Sequence, residues 1–101
     1  MKNARKYEKR NDALYEAIVS FTDVQDCYDF FVDLCTVAEL NSMEQRFEVA
    51  VLLHKGMIYS DILEATGASS ATISRVNRSL QYGADGYALA FERLGIPGPE
   101  G

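Results

Sequence analysis

The residues of this chain whose types and spacing could do chemistry gather in one window, positions 59–81. It holds Ser60, Ser69, Ser70, Thr72, Ser74, Asn77 and Ser79, arginines at 75 and 78, and a lone glycine, Gly67. Hydroxyl and amide groups both donate and accept hydrogen bonds. Arginine reaches guanine edges or phosphate oxygens, so this set suits recognition of double-stranded DNA. On a helix beginning near position 70, Ile73, Val76 and Leu80 fall at i, i+3 and i+7 and form a buried seam. Ala71, Ser74, Arg75 and Arg78 fall on the other side. Small and hydroxyl-bearing side chains near the helix start allow a close approach to the major groove, and the free N–H groups there favour a phosphate. The DNA-contacting set read from this pattern is Ser60, Ser69, Ser70, Ala71, Thr72, Ser74, Arg75, Asn77 and Arg78.

Gly67 lies where the chain must reverse, a position that favours positive φ and therefore glycine. With Ile62 before it and Ile73 and Val76 after it, two short helices pack at a steep angle as a helix-turn-helix over 59–81. The same pattern also fits an αα-hairpin with a solvated outer face. Charge decides between them. The net charge is −5, which on its own argues against nucleic acid. Its distribution does not: positions 12–44 carry Asp12, Glu16, Asp23, Asp26, Asp29, Asp33, Glu39 and Glu44 with no Lys or Arg, whereas 65–84 carry Arg75 and Arg78 with no acid. A DNA reader needs a contact face free of negative charge, not a basic chain.

Enzymatic chemistry finds no support. His54 is the single histidine, no Ser/His/Asp or Cys/His spacing stands out, and there is no Gly-rich phosphate loop or metal signature. His54, on a helix beside Leu53 and Lys55, reads as structural. Cys27 and Cys35, eight residues apart, are two turns apart if they share a helix, too far for a disulfide, and read as small buried hydrophobes. No catalytic residue, metal site or cofactor is expected.

The elements that must position the window are helical throughout. Apolar residues recur at helical spacing over 4–21 (Tyr7, Leu14, Tyr15, Ile18, Phe21), 24–34 (Tyr28, Phe31, Leu34) and 37–55 (Leu40, Met43, Phe47, Ala50, Val51, His54). Asp23 reads as the N-cap of the second helix, and Thr36 with Glu39 as a capping box for the third. Further helices are expected at 59–66, at 70–81 capped by Ser69, and at 86–94 capped by Asp85. Length and an apolar content of 48% fit one all-α domain, 1–94, with a loose Gly/Pro-rich tail at 95–101. No apolar run approaches the ~20 residues that span a bilayer. The basic N-terminus also lacks the apolar stretch of a signal peptide, so a cytoplasmic protein without membrane contact is expected. A chain this short gains core by dimerising. The aromatic set Tyr7, Tyr15, Phe21, Tyr28, Phe30 and Phe31 divides between core and interface in a way the residues leave open.

The stretches 44–53 (EQRFEVAVLL) and 66–81 (TGASSATISRVNRSLQ) resemble the Trp repressor family, and within it the YerC/YecD-type, TrpR-like proteins. The run Gly-Ala-x-x-Ala-Thr-Ile-Ser-Arg at 67–75 is the specific part. The resemblance implies a six-helix, all-α fold and an intertwined homodimer that presents two recognition helices to a palindromic operator. In tryptophan-sensing members two arginines cradle the ligand. Their matching positions here are Arg46 and Arg75, with Thr72 and Ser79 close by, and these four form the candidate effector set. The sensing repressor has glycine after its recognition-helix arginine; this chain has Val76, whose side chain occupies space the indole needs. Asp33 and Val37 stand at positions aligned with apolar pocket walls and a helix-starting proline, and an acid near a carboxylate-bearing ligand is unfavourable. Operator binding without tryptophan is therefore expected. The structural alternatives for the arginines are an ion pair for Arg46 and a phosphate contact for Arg75. Two other readings stay open, a repressor sensing tryptophan or another small effector, and a dimeric protein-interaction adaptor with a degenerate helix-turn-helix.

Overall fold

Among the described residues, 10–99 of the computed structural model, the secondary structure is six helices and no strand. They are α1 (Asp12–Ser20), α2 (Val24–Leu34), α3 (Val37–His54), α4 (Tyr59–Thr66), α5 (Ser70–Tyr82) and α6 (Gly86–Leu94). Local capping sets most boundaries. Asp23 accepts from the Gln25 N–H at 2.8 Å. The Thr36 box closes in both directions, Glu39 N–H donating to Thr36 Oγ1 at 3.1 Å and Thr36 N–H to Glu39 Oε1 at 2.8 Å.

Two expectations change at helix starts. The first helix begins at Asp12 because Asn11 stops it there, its side chain accepting from the Ala13 N–H at 3.0 Å; positions 4–9 of the expected helix lie outside the described residues. Asp85 does precede α6, but with φ +67 it is left-handed and makes no side-chain capping bond. An Asn or Asp tolerates that conformation better than other non-glycine residues.

The chain divides into two compact units, Lys6–Ser42 and a second that holds Met43–Gly101. In the first, α1 and α2 carry an aromatic cluster, Phe21 and Phe30 with ring centroids 5.3 Å apart and Phe30 edge-on to Phe31 at 5.9 Å. No described residue of this unit is buried, and Tyr15, Val19, Val24, Tyr28 and Val32 are exposed. Cys27 and Cys35 are free thiols, half-buried rather than enclosed.

The second unit has a continuous core of Val49 and Ala50 from α3, Ile62 from α4, Ala68 from the turn, Ile73 and Val76 from α5, and Phe91 from α6. Phe47, Leu52, Leu53, Leu80, Tyr87 and Ile96 pack around it. The face expected for α3 named Ala50 and missed Val49, because 47–53 is nearly continuous in apolar residues and periodicity blurs. His54, expected to be structural, packs against the core. It stacks on Phe91 at 4.4 Å between centroids, and its Nε2 lies 3.2 Å from the Ile96 carbonyl oxygen. The stretch following α6, expected to be loose, thus has its second residue, Ile96, seated on the core. Gly83 ends α5 under close approach: a Cβ there would stand 2.5 Å from the Ser79 carbonyl oxygen.

Candidate nucleic-acid interface

The helix-turn-helix is built by three consecutive local devices. α4 ends on Gly67, whose φ of +74 lets its N–H reach back to the Leu63 carbonyl oxygen at 2.9 Å. Open space surrounds the position of a Cβ there, so the demand for glycine comes from the backbone and not from crowding. Thr66 then ties the turn: its Oγ1 donates to the Ile62 carbonyl oxygen at 2.7 Å and accepts from the Ala68 N–H at 3.1 Å. Ala68, 2% exposed, plugs into the core, and only a small side chain suits that position. Ser69 caps α5, accepting from the Thr72 N–H at 3.1 Å.

α5 packs on α4 through a buried seam of Ile73 and Val76, with Leu80 half-buried a turn further on. At about 100° per residue, Ala71, Ser74, Arg75 and Arg78 fall on the opposite arc with Ser70 at its flank, and all five are exposed. Among the described residues, neither Arg75 nor Arg78 makes an ion pair, so their guanidinium donors face solvent unneutralised. Ser60, at the start of α4, is exposed. The remaining residues of the expected DNA set are already engaged. Ser69 Oγ donates to Thr72 Oγ1 at 3.1 Å, which occupies both hydroxyls in the cap. Asn77, half-buried, accepts from Gln81 Nε2 at 3.5 Å. α5 carries no acid of its own; the acids closest in sequence are Glu64 on α4 and Asp85, which precedes α6.

The candidate effector residues are less uniform. Arg46 is half-buried on α3, Thr72 half-buried in the cap, and Arg75 and Ser79 exposed on α5. Arg46 makes no ion pair among the described residues, contrary to the structural alternative for it. Val76, 2% exposed, lies inside the core with Ile73.

Besides the His54–Ile96 contact, a polar contact at the helix-turn-helix escaped the sequence reading. Gln45 of α3 donates through Nε2 to the Thr66 carbonyl oxygen at 3.3 Å, joining residues 21 apart in sequence. A glutamine on a mostly apolar helix gives no local sign of such a partner. Among the described residues no group of His, Cys, Asp and Glu could hold a metal ion, and no helix is long and apolar enough to cross a membrane.

Comparison with known proteins matches residues 9–95 to the Trp repressor protein family. The chain is 50% identical over 86 residues to the uncharacterized protein YerC of Bacillus subtilis, covering 85% of this chain and 83% of YerC. Two crystal structures superpose on it. A candidate Trp repressor from Staphylococcus aureus gives a TM-score of 0.83 at 46% identity, covering 86% of this chain and 87% of that one. A TrpR-like protein from Eubacterium eligens gives 0.81 at 57% identity, covering 85% and 89%.

Proposed function

The chain belongs to the Trp repressor family, and from that premise we propose that it is a cytoplasmic, sequence-specific transcriptional regulator, of the repressor type its family suggests, that binds a palindromic operator as a homodimer without tryptophan. The observation that carries the reading is the divided surface of α5. Ile73 and Val76 fix the helix to the core, while Ser70, Ala71, Ser74, Arg75 and Arg78 stand exposed on it, with no acid among its residues. Ser70, Ala71 and Ser74 enter the major groove first. Arg75 and Arg78 then reach base edges or phosphates, with Ser60 at the flanking backbone. Ser69, Thr72 and Asn77 shape the helix start and contribute to DNA through their remaining hydrogen-bonding capacity.

Independence from tryptophan rests on Val76. A side chain enclosed in the core beside Ile73 takes up volume an indole ring would need and supports the helix pair in the ligand's place. Dimerisation rests on the Lys6–Ser42 unit, whose described residues include exposed Tyr15, Val19, Val24 and Tyr28 and none that is buried. Covering that surface with a second copy supplies apolar burial of about 25 cal/mol per Å². A second reading, a small effector held by Arg46, Thr72, Arg75 and Ser79, draws on the half-buried Arg46 without an ion pair.

The test is selection of bound duplexes from a random DNA pool by the purified protein, in moderate salt and without tryptophan. The expected result is an enriched palindrome with half-sites about one helical turn apart and an affinity that falls steeply with added salt as counterions are released. Enrichment that appears only when tryptophan is added would transfer the argument to the effector reading. A dimer with no salt-sensitive DNA affinity under either condition would leave the adaptor.

A further inference from the structure

We infer that Gln45 is a positioning residue for sequence reading, fastening the helix-turn-helix to α3 through the carbonyl group of Thr66. The inference rests on the DNA-binding reading above. The last carbonyls of a helix lack an intrahelical partner, and Thr66 closes α4. Its carbonyl oxygen accepts from Gln45 Nε2 at 3.3 Å. Its hydroxyl simultaneously holds the Ile62 carbonyl and the Ala68 N–H. One residue therefore links α3, the end of α4 and the first residue leading into α5. Three residues after it, Ser69 sets the first turn of α5.

Elsewhere α3 meets the helix pair through apolar packing of Val49 and Ala50 against Ile62, Ile73 and Val76. Such contacts resist separation but are not directional. A hydrogen bond to a carbonyl oxygen has a preferred direction and length. The Gln45 bond therefore restrains the tilt of the α4–α5 pair about its apolar seat, and the tilt decides which base edges Ser74, Arg75 and Arg78 reach. Phosphate contacts tolerate displacement better, because they depend on charge more than on register.

This separates positioning from stability. Gln45→Met keeps length, helix propensity and shape but removes the donor. Affinity for the duplex selected by the wild-type chain should fall about fivefold, the equivalent of one ordinary net hydrogen bond of about 1 kcal/mol. Affinity for a scrambled duplex of equal length and composition should stay unchanged, so the specificity ratio falls by the same factor. Binding is measured at a temperature well below the unfolding midpoints of both proteins. Gln45→Asn, which withdraws the amide by one methylene, should change the ratio in the same direction. A ratio equal to that of the wild type, whether both affinities hold or fall together, would reduce Gln45 to a structural residue and overturn the inference. A wild-type chain that fails to distinguish the two duplexes sinks the DNA-reading function itself, a result visible before any variant is made.

Discussion

At the scale of single residues, the arginines and Val76 carry opposite kinds of meaning. Arg78 is exposed and makes no ion pair among the described residues, so its removal acts on binding and not on folding. Arg78→Ala should leave the thermal midpoint near that of the wild type and weaken operator binding by about 1–3 kcal/mol with altered base preference, as read by competition between related duplexes. Val76 is the reverse case. Val76→Ala opens a small void beside Ile73 and should cost roughly 2 kcal/mol in urea unfolding. If room beside Arg75 is all that separates this chain from a tryptophan sensor, the same variant should gain a measurable response to the amino acid; unchanged titration heat would assign the lost response to other positions, such as Asp33. The exposed arginines, the buried seam and the glycine of the turn were legible in the sequence because each follows from helical spacing or one backbone angle. The engagement of Thr72 and Asn77 was not, since a polar side chain tied to its neighbour and one free to read DNA look alike until the partner is found, Ser69 Oγ at 3.1 Å for Thr72 and Gln81 Nε2 at 3.5 Å for Asn77.

At the scale of elements, local signals predicted boundaries wherever the cap is local. Asp23, the Thr36–Glu39 box and Ser69 each act within three residues of themselves, and each appears where spacing placed it. Two helices, α4 and α6, start where spacing placed them but without the usual capping chemistry. α6 follows a left-handed Asp85 that makes no side-chain capping bond, and α4 follows Ile58, an exposed apolar residue whose side chain offers the first N–H groups nothing. Ile58 already has the extended backbone of a cap, φ −80 and ψ 159. Ile58→Asp should therefore stabilise the fold by about 0.5–1 kcal/mol, raising the thermal midpoint by roughly 2–6 °C. A calorimetric midpoint at or below that of the wild type would show that the exposed isoleucine is covered in solution, where polar replacement is costly.

At the scale of the whole molecule, the two units differ in how far they satisfy themselves. The unit holding Met43–Gly101 encloses seven apolar residues. The described part of Lys6–Ser42 encloses none while leaving large apolar side chains in solvent. A homodimer built on that surface should melt at a concentration-dependent temperature, the midpoint climbing as protein is raised across a hundredfold range. Sedimentation equilibrium should give twice the 11.3 kDa of one chain. A concentration-independent midpoint with monomer mass would remove the dimer from the proposal. The family and the all-helical class were readable from residues 44–53 and 66–81. The division into two units was not, because it depends on contacts between residues distant in sequence that no periodicity encodes.

The enclosed core is also completed late in the sequence. Phe91 is the last of its seven residues along the chain, fifteen positions after Val76. A released chain that stops short of Phe91 leaves Val49, Ile62, Ile73 and Val76 incompletely enclosed, the sort of surface that chaperones bind and proteases find. Messages interrupted between codons 77 and 90 should therefore yield little soluble product, whereas one ending after Pro99 should yield as much as the whole chain. The residue that completes the core thus comes from α6, outside the α4–α5 pair proposed to read DNA.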